Sequence, residues 1–138
     1  MSTTIRSNIS KKNEYWIEKH RYYELKHFVL QYPIWKHTLQ SLDGLSGQSY
    51  EYVIRTLDYI SDPVAKLAEA REYLHNKIDL VDRTAQLTDE EYGVYILRGI
   101  LLDKSYDALI SKEWVPFSRE QYYRMYRRFF WLLDQERD

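Results

Sequence analysis

The chain has no cysteine and few of the residues that interrupt regular structure: four glycines and three prolines in 138 residues. The absence of cysteine excludes disulfides, thiolate zinc ligands and thiol catalysis. No apolar run approaches the roughly 20 residues that span a bilayer. The first fifteen residues also lack the apolar stretch of a secretory signal. We therefore expect a cytoplasmic protein with no membrane partner.

The chain also lacks an excess of charge of either sign, since its formal net charge is −1. That balance argues against strong non-specific binding to DNA. The charge is unevenly distributed, however: residues 1–42 carry +4, residues 43–104 carry −5, and residues 105–138 are neutral. Residues 118–130 contain four arginines and one glutamate. This local basic cluster suits a helix that faces a DNA groove.

The motifs of common enzymes and metal sites are missing. There is no glycine-rich phosphate loop, no HExxH motif, and no spacing that suggests a Ser/His/Asp set. His20, Glu24 and His27 fall on one helix face, but the two histidines are two turns apart and aromatic residues surround them. Imidazoles without metal are the favoured interpretation. We expect a protein that is not an enzyme and has no metal and no cofactor.

Helical periodicity runs through most of the chain, and no strand or hairpin signal appears. The sequence predicts an all-α helical bundle with a C-terminal helix-turn-helix. Its expected parts are a flexible N-terminus (1–12), an N-terminal helical part (13–60), a long connecting helix (61–86) and a helix-turn-helix module (87–138).

Within the N-terminal helical part, the pattern predicts a helix from about Asn13 that ends before Pro33, because the residue before proline is pushed out of the α region. A short helix over 34–42, a loop over 43–47 and a helix over 50–60 follow.

The long connecting helix has a start signal at Ser61-Asp62-Pro63 and is expected to reach about Ala85. Its apolar residues follow a coiled-coil-like spacing, at Leu67, Leu74, Ile78, Val81 and Ala85. Packing within one bundle and a dimer seam both fit this spacing, and the bundle is favoured because the pattern is short.

The next helix is expected to begin at Thr88, whose side chain would form a capping box with Glu91. It should run to about Leu102. The side chains that we expect to be buried are Tyr92, Tyr95, Ile96 and Ile100.

The C-terminal segment contains two further helix starts, separated by a break at residues 112–117. Ser105 caps a short helix, and Pro116 forces an extended backbone in the break. Ser118 then caps a longer helix, with Gln121 in place for a capping box. One buried stripe is predicted on this helix, at Tyr122, Tyr126, Phe129 and Leu133. A short helix, a turn and a helix with a basic outer face indicate a helix-turn-helix.

The candidate DNA-binding residues lie mainly off this stripe. They are Ser118, Arg119, Glu120, Gln121, Tyr123, Arg124, Arg127 and Arg128. Tyr123 has a second interpretation, as a tyrosine at the edge of the core whose hydroxyl reaches water.

Several blocks of the sequence resemble known regulators. The order of LTDEE (87–91), SYDAL (105–109) and VPFS (115–118) is similar to the region 4 helix-turn-helix of bacterial sigma factors. The polymerase-core-binding region 2 of those factors has no counterpart here, which argues against a complete sigma factor. SREQYY (118–123) and RRFFWLL (127–133) look like small late-transcription regulators of the ArpU and RinA type, from phages and prophages of Gram-positive bacteria. The N-terminal block RYYELKHF (21–28) with QYP, and the helix starting at Asp62-Pro63, also resemble such proteins.

This resemblance implies a transcriptional regulator in a bacterial host cell. It would bind double-stranded DNA, contact host RNA polymerase or another host protein, and form a homodimer. By the same resemblance, Arg119, Glu120, Gln121 and Arg124 would face base edges. Arg127 and Arg128 would contact phosphates.

Two other functions remain open. One is an all-α protein-interaction module, such as a phage-encoded inhibitor or adaptor of a host or defence protein, in which the helix-turn-helix does not bind DNA. The other is a small packaging subunit that binds phage DNA.

Overall fold

The computed structural model describes residues 12–44, 63–112 and 114–137, and the regular structure in these ranges is entirely helical. This confirms the all-α prediction for that part of the chain. The helices are α1 (Lys19–Leu30), α2 (Tyr32–Gly44), α3 (Pro63–Thr88), α4 (Gly93–Leu101), α5 (Tyr106–Ile110) and α6 (Arg119–Glu136). In the same ranges, no helix combines the length and apolarity needed to cross a membrane. Three predictions concern residues that lie wholly or mostly outside the described ranges: the flexible end at 1–12, the loop at 43–47 and the helix at 50–60.

The described residues belong to two compact units. One contains those of Met1–Leu30 and Val81–Asp138, and the other those of Gln31–Leu80. The division predicted from the sequence followed the chain linearly, with the last module beginning at residue 87. The structure instead groups α1 with the C-terminal helices, because α1 and α6 bury their apolar faces against each other.

In the unit that contains the C-terminus, α6 is the central helix and contacts α1, α4 and α5. The predicted stripe is confirmed: Tyr122, Tyr126, Phe129 and Leu133 are all buried. Apolar residues from the other helices and from the α5–α6 connection complete the core around them, chiefly Tyr22, Leu25, Phe28, Val29, Ile96, Ile100, Leu109 and Phe117. The α6 stripe therefore sets the positions of the elements that surround it.

The first helix begins six residues later than predicted, at Lys19 rather than Asn13. The Asn13 side chain accepts a hydrogen bond from the Tyr15 amide and forms a turn instead. Glu18 then caps the helix, because its Oε2 accepts from the amides of His20 (2.9 Å) and Arg21 (3.1 Å). These two amide donors lower the pKa of Glu18 below its ordinary value of 4.5.

The predicted cap at Thr88 is wrong. Thr88 still belongs to α3, and its Oγ1 donates to the carbonyl of Thr84 at 2.8 Å. Asp89 instead organises the turn that leads into α4, because its Oδ1 accepts from the amides of Glu91 (2.9 Å) and Tyr92 (2.8 Å), while α4 itself has no side-chain cap. A connection this short requires Gly93 at the start of α4, since a Cβ there would overlap the backbone carbonyl of Ala85.

The C-terminus of α4 is closed by a Schellman motif. Asp103 has a φ of 52°, and the amides of Asp103 and Lys104 donate to Ile100 and Gly99 at 3.0 Å each. Glycine is the usual residue at this left-handed position. Here the Asp103 carboxylate has a further contact, because its Oδ1 lies 3.0 Å from Nζ of the buried Lys26 on α1.

The other unit contains α2 and the first part of α3. The α2 helix begins at Tyr32, two residues before the predicted start, because Pro33 is tolerated in a first helical turn. Trp35 and Leu42 are buried, as are Leu74 and Ile78. The last two residues belong to the coiled-coil-like series, and their burial within one chain favours the bundle interpretation over a dimer seam.

Candidate functional site

The α5 and α6 helices begin at the serines that the sequence predicted. The Oγ of Ser105 accepts from the Ala108 amide at 3.1 Å. Ser118 and Gln121 form the complete capping box: the Gln121 amide donates to Ser118 Oγ at 3.3 Å, and the Ser118 amide donates to Gln121 Oε1 at 2.9 Å. Both predictions are confirmed. The side chains of Ser118 and Gln121 therefore fix the N-terminus of α6.

The segment between α5 and α6 is anchored by Phe117. Its ring stacks on Tyr122 at 6.0 Å and meets the edges of Tyr92 and Tyr95 at 5.4 and 5.9 Å. The hydroxyl of Tyr106 also donates to the Phe117 carbonyl at 2.8 Å. The close approach of α6 to α4 depends on Gly99, because a Cβ there would overlap the Tyr122 hydroxyl. The start of α6 is thus held by core contacts from two other helices.

Successive residues of a helix are turned by about 100°, which places Arg124 opposite the buried stripe. The neighbours of Arg124 on this outward face include Glu120 and Gln121, and all three side chains are exposed. Arg124 Nη2 lies 3.2 Å from Glu14 Oε1, and 70% of the arginine side chain is accessible. Glu14 and then Tyr15 raise the pKa of the guanidinium, so it carries its charge throughout the physiological pH range.

Arg119 lies to one side of this face, near α5. Its guanidinium pairs with Asp107 and lies 5.7 Å from the centre of the Tyr106 ring. The side chains of Arg119 and Asp107 are 56% and 63% exposed, so water surrounds the pair.

Tyr123 is half-buried, and its hydroxyl accepts from the Tyr106 amide at 3.2 Å. Its ring meets the edge of Tyr122 at 5.1 Å. These contacts agree with the core-edge interpretation of Tyr123, because the hydroxyl helps to join α5 to α6.

Arg128 has partners in the main chain. Its Nε and Nη2 donate to the carbonyls of Thr88 (3.2 Å) and Leu87 (3.4 Å), and its Nη1 donates to the hydroxyl of Tyr15 (3.3 Å). The guanidinium therefore satisfies two carbonyls at the C-terminus of α3. Arg127, one residue earlier, is half-buried, and its buried Nε has no hydrogen-bond partner.

A cleft of about 350 Å³ lies beside α6. Its walls come from α6, from the α3–α4 connection and from the turn before α1, and include Tyr15, Asp89, Tyr92, Arg124, Met125 and Arg128. The arginines are predictable from the sequence as candidate site residues, but Glu14, Tyr15 and Tyr92 beside them are not. These residues are remote from α6 in sequence, and no local pattern links them to it.

The three residues considered for metal binding are exposed on α1, and they form no metal site. The Glu24 carboxylate instead pairs with Arg21 and with Arg137. Among the described residues, no group of three or more His, Asp or Glu side chains has the arrangement that would hold a metal ion.

No protein-family model, no curated protein and no solved structure matches this chain.

Proposed function

We propose that this chain is a sequence-specific double-stranded DNA-binding protein in which α5 and α6 act as a sigma-region-4-like helix-turn-helix. In this proposal it is a transcriptional regulator of phage or prophage type in a bacterial cytoplasm. The observation that carries the proposal is the start of α6, a rigidly capped helix end whose exposed residues are arginine, glutamate and glutamine. Those side chains suit the edges of bases in a major groove.

The direction of the exposed side chains supports this proposal. Arg124 is centred on the face opposite the core stripe, with Glu120 and Gln121 beside it. Farther along the same face, Trp131 packs against Tyr15 at 5.6 Å. The N-terminal half of α6 is therefore the more accessible half, and recognition helices contact base edges with that half.

The ion pairs of Arg119 and Arg124 are compatible with DNA binding because both pairs are well exposed. Such surface pairs contribute little to stability and weaken with salt. Phosphate oxygens would compete with Asp107 and Glu14 for the same donors. Arg119 and Arg124 can thus exchange an internal partner for DNA without disturbing the core.

Arg128 has another role in this proposal. It keeps α6 in place against the end of α3 rather than contacting a phosphate, since its donors already face carbonyl oxygens. Base reading is assigned to Arg119, Glu120 and Arg124, and to the amide nitrogen of Gln121, whose Oε1 already accepts from the Ser118 amide.

The test is selection from a random duplex library at two salt concentrations. We expect enrichment of one short motif. Arg124→Ala should weaken binding to that motif about tenfold or more and relax the preference at one position. The matched control is Arg83→Ala, which removes an exposed arginine whose partner is Glu136 and should leave binding unchanged. Absence of binding at low salt, or equal binding by the Arg124 variant, would refute the proposal.

The second candidate is the protein-interaction module, and the side chain that favours it is Trp114. This tryptophan lies between α5 and α6 and is 78% exposed, and Ile110 at the end of α5 is 43% exposed. Exposed aromatic residues are common anchors in protein interfaces. If this candidate is right, Trp114→Ser should abolish binding to purified host RNA polymerase or another host target, and Arg124→Ala should not.

A further inference from the structure

We propose that the cleft beside α6 binds a small, planar aromatic anion that also carries an N–H donor. The cleft residues that carry this inference are Tyr15, Asp89, Tyr92, Arg124, Met125 and Arg128. All of them belong to the unit that contains α6. Arg124 belongs both to this cleft and to the proposed DNA-binding face. The inference does not rest on DNA binding, however, because ligand binding is measured directly and without DNA.

The cleft attracts an anion because its α6 wall carries two guanidinium groups, those of Arg124 and Arg128. Arg128 is fixed by hydrogen bonds to the carbonyls of Leu87 and Thr88 and to the hydroxyl of Tyr15. Arg124 is less constrained, since it pairs with the exposed carboxylate of Glu14. With Asp89 as the acidic lining residue, the lining side chains carry a net charge of +1. A ligand with one anionic group balances this charge and takes the place of Glu14 on Arg124.

The cleft also suits a planar ring, because two tyrosines line it and the ring of each packs against another aromatic side chain. Tyr15 packs against Trp131 at 5.6 Å, and the guanidinium of Arg128 lies 5.9 Å from its ring centre. Tyr92 packs edge-on against Phe117 at 5.4 Å. Both rings are half-buried, so part of each remains available for contact. The thioether of Met125 adds an adaptable apolar surface between these polar groups.

Asp89 selects for an N–H donor on the ligand. One of its carboxylate oxygens, Oδ1, accepts from the amides of Glu91 and Tyr92 at the start of α4. An ionised carboxylate can only accept hydrogen bonds, and its second oxygen keeps acceptor capacity. The Asp89 carboxylate would repel a second anionic group on the part of the ligand that contacts it. The favoured ligand therefore has its negative charge at Arg124, where the charge of Arg128 adds to the attraction, and its donor at Asp89.

The size of the cleft limits the ligand to one aromatic ring system and one substituent that carries the anionic group. Its volume, about 350 Å³, is near the lower end of the ~300–1,000 Å³ typical of small-molecule sites. Nucleoside monophosphates and indole carboxylates both have a planar ring, an N–H donor and an anionic group. The two classes differ in the position and charge of that group, so separate titrations distinguish them.

Methionine labelling gives a direct readout, because the chain contains two methionines, Met1 and Met125. The full chain, labelled with ¹³C at the methionine methyl groups, is titrated in one arm with the four common nucleoside 5′-monophosphates. The other arm uses indole-3-acetate and indole-3-carboxylate. We expect a saturable shift of the Met125 methyl signal in one arm, with half-saturation at or below about 1 mM.

Two arginine variants test whether the ligand is in the cleft. Arg124→Gln, at an exposed site, should weaken binding about tenfold or more because it removes a charge-assisted contact. Arg119→Gln removes the same charge from the same helix but outside the cleft, and it should leave the affinity unchanged. Glu14→Gln should tighten binding, since the ligand no longer competes with a carboxylate. The proposal fails if neither arm gives a saturable shift, or if Arg119→Gln weakens binding as much as Arg124→Gln.

Discussion

At the scale of single residues, Asp103 has two roles in one position. Its backbone occupies the left-handed region, where an L-residue other than Asn or Asp is costly. Its carboxylate lies 3.0 Å from the ammonium of Lys26, whose side chain is only 7% exposed. The contact is an ion pair rather than an aligned hydrogen bond. The charge on Lys26 is thus neutralised by the residue that ends α4.

We therefore predict that Asp103→Asn is destabilising although asparagine tolerates the same backbone conformation. The substitution leaves a buried ammonium without its counter-charge. Loss of one partner from a fully buried pair costs about 3–5 kcal/mol, and the partial exposure of Asp103 places the expected loss near the lower end. Urea denaturation measures it.

The control for this prediction is the double variant Lys26→Met with Asp103→Asn, which has neither charge. It should recover most of the lost stability, because an apolar side chain of similar length replaces the buried ammonium. If the single variant is as stable as the parent, the ion pair contributes nothing and the prediction is wrong.

Two arginines of the candidate site show what could not be predicted from the sequence. Arg124 and Arg128 look alike in the sequence, because both lie on the outer side of a predicted amphipathic helix. Their environments differ because Arg128 meets the carbonyls of Leu87 and Thr88, whereas Arg124 meets an exposed glutamate. These partners are 40 or more residues away along the chain. Helical periodicity identifies the outward face but not its partners.

Among the helices, the predicted position was correct where a capping motif and the buried apolar stripe indicated the same helix. The capping box of Ser118 and the stripe from Tyr122 to Leu133 together defined α6. The cap predicted at Thr88 failed because Thr88 still belongs to α3, and Asp89, one residue later, accepts the amides of the turn that follows. The predicted start of α1 was too early because the aromatic residues at 15 and 16 fit the helical period. The helix begins only after Glu18, whose carboxylate accepts hydrogen bonds from the first amides of α1.

The Arg128 contacts lead to a prediction about the end of α3. Arg128→Ala should destabilise the chain by about 1–2 kcal/mol, since hydrogen bonds from a charged donor to the Leu87 and Thr88 carbonyls are lost and their distances are long. Amide exchange over the last turn of α3 should accelerate more than exchange elsewhere in α3. Arg127→Ala is the matched control and should cost less, because the Arg127 Nε has no partner. An Arg128→Ala chain of unchanged stability that fails to bind DNA would instead assign this arginine to a phosphate contact.

At the scale of the whole molecule, local patterns predicted the helix content but not the grouping of the helices. The sequence suggested a C-terminal module from residue 87, whereas α1 packs on α6 in the same unit. Arg21 joins these helices through an ion pair of 2.7 Å with Asp134. A contact between residues at opposite ends of the chain leaves no local signature. The apolar face of α1 indicates that this helix packs against another one, but it does not identify α6 as that helix.

The buried tyrosines give the last prediction, which concerns stability at high pH. Tyr122 and Tyr126 lie in the core, where burial raises the pKa of both phenols well above 10. The hydroxyl of Tyr126 is 3.4 Å from that of Tyr22, and Tyr122 donates to the Lys104 carbonyl at 3.0 Å. In the folded chain both phenols therefore stay protonated at a pH where exposed tyrosines ionise.

The sign of the effect follows from the raised pKa. Below pH 10 both states keep these protons, so the contribution of the two phenols to stability is complete. Above pH 10 the unfolded chain releases them first, and stability falls as the pH rises. Absorbance of phenolate should show slowly ionising tyrosines, Tyr122 and Tyr126 among them, whose signal appears together with the loss of helical circular dichroism. In Tyr126→Phe one slow phenolate should vanish, and the fall in stability above pH 10 should become shallower. Rapid ionisation of every tyrosine while the helices persist would show that this core is open to hydroxide.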